Sequence, residues 1–110
     1  MPTDQTIGEL LATATEPTFS FEFFPPKNEV GQELLTKTIS ELEPLGPDWV
    51  SVTYGANGSS RQRTLDATMA ILQTTDFRVM GHLTCTGQSI DELKAVIDAY
   101  GDSGVHNILA

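Results

Sequence analysis

Strand-like apolar segments begin near residues 19, 49, 78 and 105, and a helix-like stretch fills each interval. The recurrence of about 27–30 residues is the length of one strand plus one helix, and strands joined through helices run parallel. A chain with this rhythm is α/β. Its parallel sheet is either doubly wound or the first arc of an eight-stranded (βα)8 TIM-type barrel, here three βα units and a fourth strand. The strand segments are 19–24, 49–54, 78–84 and 105–110, rich in aromatic and β-branched residues.

Local chemistry sets the helix ends. Thr6 with Glu9, and Ser89 with Glu92, have the spacing of capping boxes. The first opens a short helix with Ile7, Leu10, Leu11 and Ala14 on one face, stopped by Pro17. The second precedes Leu93, Val96, Ile97 and Tyr100 at helical spacing, with Gly101 and Gly104 closing the helix. Asn28 caps a helix running to about Glu43, with an apolar stripe of Val30, Leu34, Leu35, Ile39 and Leu42, broken by Pro44, Gly46 and Pro47. A further helix carries Leu65, Met69 and Leu72. Residues 1–18 form a helix and lead-in, and 19–110 a partial barrel domain.

Charge and composition narrow the function. Fifteen acids against six bases give a net charge of −9, a field that repels phosphodiester backbones and argues against nucleic acid. No apolar run approaches the roughly 18–20 residues of a membrane span, and residues 1–16, lacking Lys and Arg, do not form a secretory leader. The single cysteine, Cys85, makes no internal disulfide, which fits a reducing, cytoplasmic setting. With no cation nearby it reads as a buried, inert thiol. A closed barrel takes about 250 residues, and 110 supply fewer than four units, so a piece of a longer chain is expected.

Strand alternation sorts the polar side chains. Phe19, Phe21 and Phe23 share one face of the first strand, opposite Ser20, Glu22 and Phe24. Val50 and Val52 oppose Trp49, Ser51 and Thr53. On the third strand, Val79, Gly81 and Leu83 oppose Met80, His82 and Thr84. Helices cover the apolar faces, so Glu22, Thr53 and His82 converge near the carboxyl ends of their strands, where parallel α/β folds bind ligands.

Among four phenylalanines, Glu22 is expected to be desolvated and held protonated, as a general acid requires. The plainer reading is a strand glutamate facing water or a cation. His82 alone reads as a hydrogen-bonded core histidine, and nothing stands at metal-ligand spacing from it, so no metal is expected. The loop 55–60 can present backbone N–H groups to a phosphate or a ring, without the dinucleotide fingerprint or a Walker lysine. Tyr54 either stacks on a flat cofactor or plugs the mouth.

Three segments in this order carry a family likeness: Phe21-Glu22-Phe23-Phe24-Pro25-Pro26-Lys27, Val50-Ser51-Val52-Thr53-Tyr54-Gly55-Ala56 and His82-Leu83-Thr84-Cys85. Together they resemble the amino-terminal part of methylenetetrahydrofolate reductase, with Asn107-Ile108-Leu109-Ala110 similar to the start of that family's fourth strand. The resemblance implies a (βα)8 barrel that binds FAD without a Rossmann motif. It implies hydride transfer from NAD(P)H through the flavin to methylenetetrahydrofolate, giving methyltetrahydrofolate for methionine synthesis. By resemblance Glu22 is the acid that opens the substrate's five-membered ring. Thr53 lies near the nicotinamide and flavin, while Tyr54, Ala56 and His82 are flavin contacts. The family's fourth strand continues into Arg-Gly-Asp, beyond Ala110, and later strands supply most remaining contacts. The implied partners are a small folate, no nucleic acid, no membrane, and for the full-length form a homo-oligomer is left open.

Two other readings stand beside this one. A non-catalytic fragment or half-barrel module would bind an anion at loop 55–60. A barrel aldolase would need a Schiff-base lysine at a strand end, whereas Lys27, Lys37 and Lys94 fall in loops or helices.

Overall fold

Thr6 and Ser89 open their helices through the reciprocal bonds that the spacing predicts. Each hydroxyl accepts from the backbone N–H three residues on, and Glu9 and Glu92 each accept from the N–H of their cap residue. These contacts come from a computed structural model that describes residues 5–54 and 61–110. The helices are α1 (Ile7–Thr13), α2 (Glu29–Leu42), α3 (Arg61–Thr74) and α4 (Ile90–Asp102). Asn28 caps α2 by accepting from Gly31 N–H at 2.8 Å. A 3₁₀ turn, Glu43–Leu45, follows α2, because Pro44 has no N–H with which to continue the α ladder. At the end of α4 the chain turns at Gly104, whose φ of 91° suits only a residue without Cβ.

Four strands alternate with these helices: β1 (Ser20–Phe23), β2 (Trp49–Val52), β3 (Val79–His82) and β4 (Asn107–Leu109). All neighbours pair in parallel, in the order β1-β2-β3-β4. That order decides between the two expected sheets. A doubly wound sheet reverses its strand order at a switch point, whereas a barrel adds each strand beside the last. The ladders are shorter than the sequence pattern by one or two residues at most ends. Part of the reason is at Pro25 and Pro26, which cannot donate to a neighbour.

The core lies between sheet and helices. Phe23, Val50, Val52 and Val79 pack with Ile39, Ala67, Ile71 and Phe77. Val50 and Val52 are fully buried, each contributing about 1.5–3 kcal/mol by transfer arithmetic. A second cluster, under α3 and α4, joins Leu65, Leu83, Val96, Tyr100 and Val105. The stripe expected on α2 is wider than the surface it covers. Leu35, Ile39 and Leu42 meet the core, but Val30 and Leu34 are exposed among the described residues, as are Ile97 on α4 and Leu11 on α1. Ala14, expected on the face of α1, lies just past its end.

Bonds from far along the chain pin α1 across the amino ends of the strands. Asn107 Oδ1 accepts from Ile7 N–H at 2.8 Å, satisfying a donor that the first helical turn leaves open. The Arg78 guanidinium donates to the backbone oxygens of Gln5 (2.9 Å) and Asp48 (2.7 Å). The opposite, carboxyl ends of the strands are left to the site. Among the described residues no helix is long and apolar enough to cross a membrane.

Candidate functional site

Parallel register turns sequence alternation into rows. Glu22 pairs with Ser51, Ser51 with Met80 and Met80 with Asn107, so these four stand in one row on the face away from the helices. Val52 pairs with Gly81, so the residues next in sequence, Thr53 and His82, flank each other at the carboxyl edge. The predicted trio therefore reaches one side and one end of the sheet.

Glu22 and His82 lie two strands apart, about 9–10 Å between backbones at the usual spacing. Their side chains nevertheless meet, His82 Nε2 standing 3.5 Å from Glu22 Oε1. On the strand between them, small and buried Ser51 stands level with Glu22, and Thr53 stands level with His82. Ser51 is a residue the sequence reading passed over, although alternation had already put it on the face of Glu22.

One expectation is corrected. The Glu22 side chain is 57% exposed, not enclosed by phenylalanines. Residues adjacent along a strand point to opposite faces, so Phe21 and Phe23 turn toward the helices, while Phe24 and Phe19 are themselves exposed. The aromatic run surrounds Glu22 in sequence but not in space. Cys85 is a second correction. Expected to be buried, it is exposed, because it lies past the end of β3.

The partners of Glu22 are better fixed. The His82 side chain is only 17% exposed, and its Nε2 is buried with no hydrogen-bond partner among the described residues. Its backbone oxygen accepts from the Tyr100 hydroxyl at 2.8 Å. At the end of β2, Thr53 N–H donates to Phe23 O (2.8 Å), and Thr53 O accepts from the buried Thr64 hydroxyl of α3 (2.7 Å). Tyr54 is half-buried, and its phenol oxygen accepts from Gln88 Nε2 at 3.4 Å. Ala56 and the rest of loop 55–60 lie outside the described residues. Lys27 follows β1, while Lys37 and Lys94 lie on α2 and α4, so none of the three stands on a strand as a Schiff-base lysine would.

Burial pushes the Tyr100 phenol up to about 12, with nearby Tyr54 adding to the shift. The neutral form is the one favoured in the fold, so this contribution to stability is complete below the ordinary value of about 10. It is lost as pH rises through about 12. In a Tyr54→Phe background, absorbance titration should show no phenolate until near that pH or until alkaline unfolding. A midpoint at the ordinary value would contradict the buried placement.

A parallel sheet in barrel order, with acid, hydroxyl, phenol and imidazole at the carboxyl ends of its strands, defines a partial (βα) barrel. The sequence profile described as methylenetetrahydrofolate reductase matches residues 6–110, and the chain belongs to that family. The chain is 42% identical over 91 residues to the 5,10-methylenetetrahydrofolate reductase of Buchnera aphidicola from Acyrthosiphon pisum, and 40% identical over 91 to that of Escherichia coli K12. Each match covers 83% of this chain and 31% of the relative. A plant relative, methylenetetrahydrofolate reductase (NADH) 1 of Arabidopsis thaliana, is 37% identical over 92 residues, 84% of this chain and 16% of the relative. The chain thus spans about a third or less of the curated relatives it matches.

Proposed function

We propose that this chain supplies the first strands, and the proton-donating side, of a cytoplasmic, flavin-dependent reductase. That enzyme converts 5,10-methylenetetrahydrofolate to 5-methyltetrahydrofolate with NAD(P)H. The observation that carries the reading is the meeting of Glu22 and His82 across β2 at the end of the sheet where parallel α/β folds bind ligands.

The residues fit a flat, polar-edged cofactor. His82 Nε2 is buried, and its contact with Glu22 Oε1 at 3.5 Å falls short of a hydrogen bond among the described residues, so a polar edge of a ligand or a water can still satisfy it. Half-buried Tyr54 follows Thr53 at the carboxyl end of β2 and offers a phenol ring there. His82, Tyr54, Thr53 and Ala56 would hold FAD, with Thr53 near the nicotinamide. When bound, FAD supplies hydride transfer, taking two electrons from NAD(P)H and delivering them to the folate.

Glu22 performs the proton step. Its carboxylic acid gives a proton to the ring nitrogen that leaves, the bond from that nitrogen to the bridging carbon breaks, and the bridging carbon becomes an iminium on the other nitrogen. A hydride that bound FAD would supply then completes the reduction of that carbon to a methyl group. The neighbouring imidazole, held through its backbone by Tyr100, keeps the carboxyl directed at the mouth. The exposed, unpaired Cys85 suits a reducing compartment.

Visible absorbance tests the reading. The purified protein carrying this chain should be yellow, bleach with NAD(P)H and regain colour on adding methylenetetrahydrofolate. A colourless protein that neither takes up FAD nor oxidises NAD(P)H would favour the anion-binding module instead.

A further inference from the structure

The Ser89–Glu92 box already completes the start of α4, yet the residue just before it makes three bonds to other parts of the mouth. Gln88 Nε2 donates to Thr84 O at 2.7 Å and to the Tyr54 phenol oxygen at 3.4 Å. Gln88 Oε1 accepts from Arg61 Nη1 at 2.6 Å. Arg61, the first residue of α3, also reaches Glu92 Oε2 at 3.2 Å. Arg61, then the Ser89 backbone and hydroxyl, hold the Glu92 carboxyl below the usual range. One amide thus uses both donors and its acceptor to join the end of β2, the segment after β3 and the start of α3.

From this geometry we infer that Gln88 is a positioning residue of the cofactor site: it fixes the Tyr54 phenol at the mouth and ties it to Arg61. The inference rests on the flavin reading above for what Tyr54 meets, but not for the bond itself. Tyr54 closes the described part of β2's carboxyl end, and Arg61 opens the next helix. A planar amide with one bond to each, anchored by a third to a backbone oxygen, sets their separation and the tilt of the ring. Without the amide, the phenol keeps its packing but loses the partner that orients its oxygen.

The chain has two tyrosines, so tyrosine Cζ labelling gives two carbon resonances, assigned with Tyr54→Phe. In Gln88→Met, of similar length but without the amide, the Tyr54 line should move while the Tyr100 line, bonded to His82 O, stays in place. An unmoved Tyr54 line, or equal movement of both, overturns the inference. If that variant fails to fold, Gln88→Leu removes the same amide, and an unmoved Tyr54 line there also overturns it. Titration with FAD, read by quenching of flavin fluorescence, adds the functional arm. Loss of one oriented hydrogen bond should weaken FAD binding about fivefold to tenfold in Gln88→Met. A displaced Tyr54 line with unchanged FAD affinity overturns the cofactor role of Gln88. If the unaltered chain takes up no FAD, the flavin reading of the chain by itself fails, and the resonance shift alone decides whether Gln88 positions Tyr54.

Discussion

Glu22→Gln, placed in the longer protein that carries this chain, is expected to leave reduction of the flavin by NAD(P)H near its normal rate. Transfer to methylenetetrahydrofolate should fall by about 10²–10⁴-fold, the usual worth of a positioned general acid. The asymmetry follows from where protons are needed. Hydride passing from nicotinamide to flavin requires no proton on a leaving ring nitrogen, whereas opening the folate ring does. The amide keeps the size of the carboxyl and loses only the acidic proton. Glu22 is exposed and its one ion-pair contact among the described residues is the 3.5 Å approach to His82, so the fold should hold within about 0.5 kcal/mol. Stopped-flow measurement of the two half-reactions separates them, the first by flavin bleaching and the second by its recovery. Equal losses in both would remove Glu22 from the proton step and leave it a role in general architecture.

Gly81→Ala should be the most damaging single substitution in the sheet for its size. A Cβ at that position falls 2.6 Å from Tyr100 Cε1 and 2.7 Å from Cζ, well inside contact distance. The ring cannot retreat. Tyr100 is fully buried among Leu65, Leu83, Val96 and Val105, and its hydroxyl is bonded to His82 O. Nor can the strand shift freely, since β3 is paired on both sides, Gly81 lying opposite Val52 and Ile108. Overpacking of this kind costs about 1–3 kcal/mol, and displacing the ring puts a further hydrogen bond of about 1 kcal/mol at risk. Together the loss expected is about 2–4 kcal/mol, read as a lower urea midpoint with an unchanged slope. A double-mutant cycle with Tyr100→Ala identifies the cause: once the ring is gone, much of the penalty at Gly81 should vanish. A penalty that persists undiminished would mean that the glycine serves strand geometry rather than the ring.

These two positions show how unevenly the site could be read. That Glu22, Thr53 and His82 share one face and one end of the sheet was legible because period-2 alternation needs only the strand boundaries, and Pro25-Pro26 and the two valines of β2 marked those well. The environment of Glu22 was not legible. Counting phenylalanines along the chain treats neighbours in sequence as neighbours in space, and in a strand they lie on opposite faces. Gln88 was not legible, because nothing local announces that its amide reaches Tyr54 and Arg61, 34 and 27 residues away. Alternation put Gly81 on the apolar face of the third strand, but only the fold lays a tyrosine from α4 against its backbone.

What the chain carries in one dimension is therefore its rhythm and its punctuation. The strand–helix repeat, the two capping boxes and the Asn28 cap arise from contacts within a few residues, which short-range sterics and hydrogen bonding decide locally. Family membership too was legible in three short motifs, and the profile match over residues 6–110 agrees. Tertiary structure alone settled the consecutive strand order that makes a barrel arc, the reach of Glu22 over β2 to His82, and the exposure of that carboxyl. Each depends on which strand lies beside which. That choice is made by helices burying their apolar faces on the sheet, a contact between segments that no local pattern records.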